Sequence, residues 1–252
     1  IYRTLIFKFW GQYFFGIIFV ISLSSCLATK NLISSIKEII SLIKEEDNFS
    51  NLKPILIKKV QRLVSRDVSS SSFEDLLRST TESLTENSVD GIFGPMFWIL
   101  IGGLLIKLSP NLPGPLSLGF SYKALSTLDS MIGYKYDSLR YLGFVSAKLE
   151  DFATYIPCRI VAITLPFVSN KYLQFLDLIR YSFYDGKKYS SPNSGISEAI
   201  FAYIVNIQLG GENIYQGEKE FKPIINACGN KCNVKSMEKI CLLIMRLKIV
   251  WI

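Results

Sequence analysis

From Phe9 to Thr29 the chain reads FWGQYFFGIIFVISLSSCLAT, 21 residues without a charge. As a helix rising about 1.5 Å per residue, the run is roughly 30 Å long, the thickness of a bilayer's hydrocarbon core. It therefore predicts a transmembrane helix. A buried core helix seldom needs so long an uncharged run. A signal peptide has a shorter apolar core that leads to a small-residue cleavage site, which Ser24, Ser25, Cys26 and Ala28 suggest only faintly. The chain opens at Ile1 without methionine. The expectation is a truncated N-terminus, with Phe9–Thr29 internal to the full protein.

Around this run the chain alternates apolar and polar helical stretches. Leu32, Ile36, Ile39, Ile40 and Ile43 recur at helical spacing within 31–46, which predicts an amphipathic helix. Asp47 to Asn51 breaks it, and Pro54 opens a helix to about Val64. Residues 67–72 form a serine-rich linker. Ser72 followed by Glu74 and Asp75 reads as an N-cap with first-turn acids, starting a helix to about Asn87. Further apolar segments lie at 92–108, 156–168, 196–209 and 240–252. Each is short for a full crossing or carries charge, so some should be re-entrant or interfacial. Segment 92–108 in particular, with Gly94-Pro95 near its start, is expected not to carry the chain across but to return 122–135 to the side of 82–90. No stretch alternates long enough to make a sheet convincing. The expected fold is all-α: a polytopic membrane bundle in a single domain, with 1–64 the N-terminal helices and 218–252 a C-terminal apolar helix.

Composition narrows the chemistry. The 252 residues carry a net charge of +7, with lysines spread thinly among acids. Membrane lipid headgroups and a phosphorylated substrate fit this better than nucleic acid, which is not expected as a partner. There are five cysteines and no histidine. The odd cysteine count, without regular spacing, argues for free thiols. The missing histidine excludes a Ser-His-Asp triad, a Cys-His pair and any histidine-ligated metal within this sequence. It contains neither GxxxxGK[ST] nor GxGxxG.

Four constellations remain. Glu82 and Glu86 lie four apart on one helix face, and Asp90 would extend the column. Stacked like charges need a bound cation, an arginine or a substrate amine, unless the face is simply solvated. The stretch 122–135 mixes Lys123, Asp129, Tyr134 and Lys135, so a lysine could hold a phosphate as a point charge. Arg159, beside an apolar run, calls for an acidic partner, Glu150 or Asp151. Ser191-Pro192-Asn193-Ser194-Gly195 precedes a helix carrying Glu198 and could present backbone N–H groups to an anion. Gly210-Gly211 follows.

In order, these strings resemble the CobD/CbiB family, adenosylcobinamide-phosphate synthase. The carriers are Arg66-Asp67, Glu82-Ser83-Leu84-x-Glu86-Asn87-x-x-Asp90-Gly91, Pro95-x-Phe97-Trp98, Tyr122-Lys123-Ala124, Thr127-Leu128-Asp129-Ser130-Met131-x-Gly133-Tyr134, Asp151, Ile156-Pro157-x-Arg159, Ser191-Pro192-Asn193-x-Gly195, Glu198-Ala199 and Leu209-Gly210-Gly211. They span about 65–217. Departures are Ser126 where the family usually has asparagine, Tyr189 where it has histidine, and Ser65 in place of glycine. The family's amino-terminal Gly-Asp-Pro motif is absent, in keeping with truncation.

The resemblance implies a multi-pass inner-membrane ligase of cobalamin biosynthesis. It would join (R)-1-aminopropan-2-ol, or its phosphate, to a propionate of adenosylcobyric acid, using ATP and Mg²⁺. It implies catalytic roles for Glu82, Glu86, Asp90, Lys123 and Asp129. Substrate contacts are implied for Asn87, Tyr134, Asp151, Arg159, Ser191, Asn193, Glu198, Gly210 and Gly211. Glu82 or Glu86 suits the base that deprotonates the amine, while Lys123 or Arg159 suits leaving-phosphate charge. No metal ligands are assigned. A non-catalytic membrane scaffold and a transporter of corrinoid intermediates are the alternatives. Sodium carbonate extraction should leave the protein in the membrane pellet, and release into the supernatant would refute the anchor at Phe9–Thr29.

Overall fold

A computed structural model describes residues 2–45, 49–132, 140–215 and 217–252. It divides into two compact units, Ile1–Ala28 with Gly94–Glu150, and Thr29–Phe93 with Asp151–Ile252. Among the described residues, two helices are long and apolar enough to cross a membrane, Phe73–Leu108 and Tyr141–Val168, and there are three spans if the bent pair Tyr13–Ser25 and Thr29–Glu45 is counted as one.

The first unit holds helix α1 (Tyr2–Ser25) and the hairpin of α5 (Gly94–Leu108) and α6 (Pro115–Ile132). Small residues let the hairpin close. A Cβ on Gly102 would lie 2.6 Å from the Gly114 carbonyl carbon and the Pro115 nitrogen, and one on Gly119 would lie 2.8 Å from Ile99. The Tyr122 ring occupies the space a Gly94 side chain would need, so α6 comes back to the level where α5 begins. Apolar side chains of α1, α5 and α6 stay outward, among them Phe14, Phe15, Leu104 and Leu128. Such a face suits lipid, where close backbone packing by small residues joins helices. Lys123 and Asp129 lie on α6, both half-buried.

The second unit is built around two helices. The first is α4 (Phe73–Ser88), followed by a π-helical turn (Val89–Phe93). Ser72 caps it, its hydroxyl accepting from the Asp75 N–H, with Glu74 and Asp75 in the first turn as the spacing predicts. Buried Thr80, Thr81 and Thr85 turn their hydroxyls onto carbonyls four residues back, satisfying themselves within the helix. The second is α9 (Ser194–Val205), where nine of twelve residues are buried. Around them pack α2 (Thr29–Glu45), α3 (Phe49–Val60), α8 (Phe175–Gly186) and α10 (Val234–Trp251). α2 buries Leu32, Ile36, Ile39 and Ile40 as its periodicity predicts, while Ile43 is only half-buried. α7 (Arg140–Val168) supplies Cys158, Val161, Ala162 and Leu165 to the core.

Three expectations change. The mainly helical fold includes one antiparallel hairpin, β1 (Leu209–Tyr215) with β2 (Glu218–Ile225), so residues 218–225 are a strand and the C-terminal helix begins at Val234. The register slips between Leu209 and Gly211. Gly210 takes φ +82° there, with the Pro223 carbonyl where a side chain would stand. Secondly, Pro54 sits inside α3 rather than opening it. Thirdly, the segment 92–108 is not a short separate piece. The π-helical turn carries the helix on, so that Phe73–Leu108 is 36 residues and long enough to cross. The Asp47-Asn48 break lies outside the described residues.

The hairpin of the first unit gives a direct test. Gly102→Ala must push the α5–α6 turn aside and should lower stability by about 1–3 kcal/mol. Gly103→Ala meets only Pro115 at 4.0 Å and should be neutral. Thermal unfolding of the two variants in detergent would show equal midpoints if the close approach were unimportant.

Candidate functional site

In the second unit, α4 carries Glu82 into a fully buried position, which is tolerable only with partners. Three converge. The Arg66 guanidinium contacts Oε2 at 2.6 Å, Arg78 lies 3.4 Å from Oε1, and the Gly210 N–H donates to Oε1 at 2.8 Å. Arg66 is placed by its neighbour, because the Asp67 N–H donates to the Ile214 carbonyl and ties this stretch to β1. Arg78, one turn before Glu82, donates to the carbonyls of Gly210 and Glu212 at 2.7 Å and to Asp75 at 3.0 Å. Both arginines also donate to Asn213 Oδ1. Burial alone would lower the Arg66 pKa, but the charge and hydrogen bond of Glu82, with Tyr215 and Glu198, together outweigh it and the net shift is upward.

Behind this pair lies Glu198, also fully buried. Its nearest cation is Lys222 of β2, with Nζ 3.7 Å from Oε1. Burial pushes the Glu198 carboxyl up to about 8, with Lys222 pulling down and the Glu82 and Glu86 charges pushing further up. Near pH 7 it is then largely neutral. The Tyr189 hydroxyl stands 3.2 Å from the Pro223 carbonyl and 3.4 Å from Glu198 Oε2. A neutral Glu198 can donate to Tyr189 while Tyr189 donates to Pro223, so this spacing suits the protonated acid. Burial pushes the Lys222 pKa down, but the surrounding acids outweigh it, Glu198 foremost once it ionises and then Glu86 and Glu82, so the net shift is upward.

A second cluster ties α7 to the loop before α9. Asp151 accepts from the Ser191 hydroxyl at 2.8 Å, and Asn193 Nδ2 donates to the Asp151 carbonyl at 2.8 Å. Arg159 donates to Asn193 Oδ1 at 2.5 Å and to the Tyr155 and Pro192 carbonyls at 2.9 Å, and it stacks on the Tyr155 ring. Neutral groups thus hold Arg159, where an acid was expected. The loop is also less open than its sequence suggests, since the N–H groups of Asn193 and Ser194 both donate to Ser191 Oγ.

The structure therefore gathers Glu82, Glu198 and Gly210 in one cluster, with Gly211 beside Arg78, and Asp151, Arg159, Ser191 and Asn193 in another. Glu86 is half-buried on the α4 face that Lys222 senses. Asn87 is exposed and bonds back to Ser83, and Asp90 is half-buried in the π-helical turn. Lys123 and Asp129 belong to the first unit. Tyr134 lies outside the described residues. Sequence reasoning missed Arg78, Lys222 and Asn213 as members of the site. Arg78 was findable, because it precedes Glu82 by four on the same helix; nothing local marks the other two.

Membrane-length apolar helices around buried acids answered by buried cations define a mainly helical membrane protein with a buried polar cluster. The profile of the family described as CobD/Cbib protein matches residues 2–244. The chain belongs to this family of cobalamin biosynthesis proteins. It is 41% identical over 209 residues to cobalamin biosynthesis protein CobD of Synechocystis, covering 83% of this chain and 57% of that one. It is 35% identical to CobD of Leptospira interrogans, covering 78% and 58%. Against cobalamin biosynthesis protein CbiB of Salmonella typhimurium it is 36% identical, covering 72% and 53%. The chain thus spans a little over half the length of these relatives. No solved structure matches it significantly.

The Glu198 shift has a signed consequence. The folded-state pKa of about 8 exceeds the ordinary carboxyl value of 4.5. This group's contribution is therefore fully present below about pH 4.5 and is lost as pH rises to about 8, at roughly 1 kcal/mol per pH unit between them. Glu198→Gln should remove that slope. Chemical unfolding from pH 5 to 9 would show it, and parallel curves for both proteins would mean that Glu198 is charged throughout.

Proposed function

We propose that the chain is the membrane-embedded catalytic part of an inner-membrane acid–amine ligase. It joins (R)-1-aminopropan-2-ol, or its phosphate, to a propionate carboxylate of adenosylcobyric acid at the expense of ATP. The observation that carries this reading is the split between two acids one turn apart. Glu82 is sealed by two guanidiniums and a backbone N–H, whereas Glu86 is half-buried beside a charged lysine.

A carboxylate is a poor acyl donor, so its oxygen first takes the terminal phosphoryl group of ATP and ADP leaves. The amine nitrogen then bonds to the carbonyl carbon, and phosphate leaves. The amine must give up a proton in that step. Glu86 is placed to receive it, because Glu82 is fully buried against its arginines while Glu86 is only half-buried. Lys222 offers positive charge to the anionic acyl group. Glu198 holds Lys222 in place without neutralising it, so long as Glu198 keeps its proton.

Magnesium is implied by the resemblance. Among the described residues no group of three or more acidic, cysteine or histidine side chains is placed to hold a metal. The side chains here do not form a cage for the ion, and no step is routed through it.

The test is ligation by the purified chain in detergent with ATP, adenosylcobyric acid and either amine. Amide product that requires ATP is expected, and Glu86→Gln should cut turnover about a hundredfold or more. Glu74→Gln, at an exposed position on α4, should leave it unchanged. Full turnover by Glu86→Gln would remove the base. No product from the wild-type chain, with the partner ligases active alongside it, would favour a scaffold.

A further inference from the structure

Helix α10 changes character along its length. One stripe, with Met237, Ile240, Ile244 and Leu247, is buried from end to end. On the outward face the first half shows Lys235, Glu238 and Lys239, as a helix in water does. The second half shows Leu242, Met245, Ile249 and Val250, the last two 72% and 65% exposed. Arg246 and Lys248 stand on this apolar half. With five charged residues in 18, α10 does not read as a span. A helix that turns both apolar side chains and cations outward is instead the kind that rests at a membrane surface.

The contacts of Trp251 set the level of this end. Its Nε1 donates to the Thr164 hydroxyl at 3.3 Å, and its ring lies 5.1 Å from that of Phe93. Thr164 is one turn before the end of the membrane-length helix Tyr141–Val168, with Lys171 just beyond. Phe93 lies at the start of the uncharged run 91–106, just past Asp90. One chain segment is about to leave the apolar layer and the other has just entered it, so Trp251 lies near one edge of the bilayer core. Tryptophan favours that edge, where one side of the indole is apolar and its N–H can bond. Tyr172 and Leu173, which follow the same helix end, are 56% and 89% exposed and add apolar surface there.

Charge identifies what this surface meets. Glu238 is the one acid of α10, and Lys44 already pairs with it at 2.6 Å. Lys235, Lys239, Arg246 and Lys248 have no acidic partner among the described residues. Asp177, the acid nearest to Lys171 in sequence, is exposed in the first turn of α8 and pairs with none of them. Lys171 has its pKa lowered by burial and then by the charge of Lys239, so two cations crowd each other without an acid to relieve them. A neutral apolar partner would leave these charges unanswered, whereas a surface of lipid phosphates answers them and covers the apolar side chains together.

We infer that α10 is an interfacial helix whose last two turns seat on a bilayer, with Arg246 and Lys248 binding the phosphates of anionic phospholipid. Ile249 and Val250 enter the acyl boundary, while Lys235 and Glu238 stay in water. The inference does not depend on the ligase reading.

Two measurements on the full chain in nanodiscs test it. The first uses a cysteine-free background with an environment-sensitive fluorophore on Ile249→Cys or Lys235→Cys. Phospholipid with brominated acyl chains should quench the label at 249 and spare the one at 235. An unquenched label at 249 would overturn the inference, and blue-shifted emission there would assign the face to a second copy or another protein segment. Quenching at both positions would overturn it too, since α10 would then lie wholly in lipid. The second keeps the native cysteines. Adding phosphatidylglycerol to phosphatidylcholine should raise the unfolding temperature of the wild type. Arg246→Gln with Lys248→Gln should lose most of that rise while unfolding normally in phosphatidylcholine alone. Lys219→Gln with Lys231→Gln removes the same charge elsewhere and should keep the rise. An equal rise in the two double variants would overturn the assignment of the phosphates to Arg246 and Lys248.

Discussion

The buried carboxylate of Glu82 is the constraint on which the second unit depends. Taking a carboxylate out of water costs several kcal/mol even after relaxation, and attraction to a partner repays this only when the geometry is good. Glu82 meets that condition with parts from three places in the chain: Arg66 after α3, Arg78 one turn earlier on α4, and the Gly210 N–H at the slip in β1. None can move far without stranding a charge. The β-hairpin is therefore not decoration on a helical protein. Its bulge at Gly210 turns one N–H onto the carboxylate, and only a residue at φ +82° with no side chain fits against Pro223 there.

The same economy appears in the helices meant for an apolar surrounding. α4 carries a run of threonines and serines through a buried environment; Thr80, Thr81, Thr85 and Ser88 are answered inside the helix, and Ser83 donates to the Leu63 carbonyl. The α5–α6 hairpin gains its closeness from glycines at 94, 102 and 119 rather than from large interlocking side chains. Its apolar side chains are left facing outward. In water this would be an aggregation surface, whereas in lipid it is solvated.

Much of this was legible because it is local. The amphipathic period of α2, the Ser72 cap and the apolar runs each need only a few neighbouring residues to be read. The acid column was legible in place but not in meaning. Its pattern asked for a cation, and two arginines supply it at Glu82. Lys222 was hidden because it comes from a strand whose sequence, Glu-Lys-Glu-Phe-Lys-Pro-Ile-Ile, shows no alternation. The strand is exposed at one end and buried at the other, so burial changes along its length rather than from face to face. Arg159 misled for a related reason. An arginine in an apolar helix needs acceptors, and the Tyr155 carbonyl one turn back with the Pro192 carbonyl of the loop serve as well as a carboxylate.

The state of Glu198 connects the two halves of the site. Counting Arg66, Arg78 and Lys222 against Glu82, Glu86 and Glu198, the cluster is neutral only if every acid is charged. Burial holds Glu198 up at about 8, so near neutral pH the six groups carry one positive charge in excess. A region like this attracts an anion without being a fixed cationic surface, and it loses the excess as pH climbs. Both expected substrates, a corrinoid carboxylate and a phosphate, are anions. A neutral Glu198 also leaves Lys222 to Glu86, the one acid of the three with access to a ligand. Were Glu198 ionised, Lys222 would be held between two buried carboxylates and Glu86 would face the substrate alone. On the ligase reading proposed above, the proton on Glu198 lets the three acids serve different ends: Glu82 to hold the fold, Glu198 to set the charge around Lys222, and Glu86 to take the amine proton.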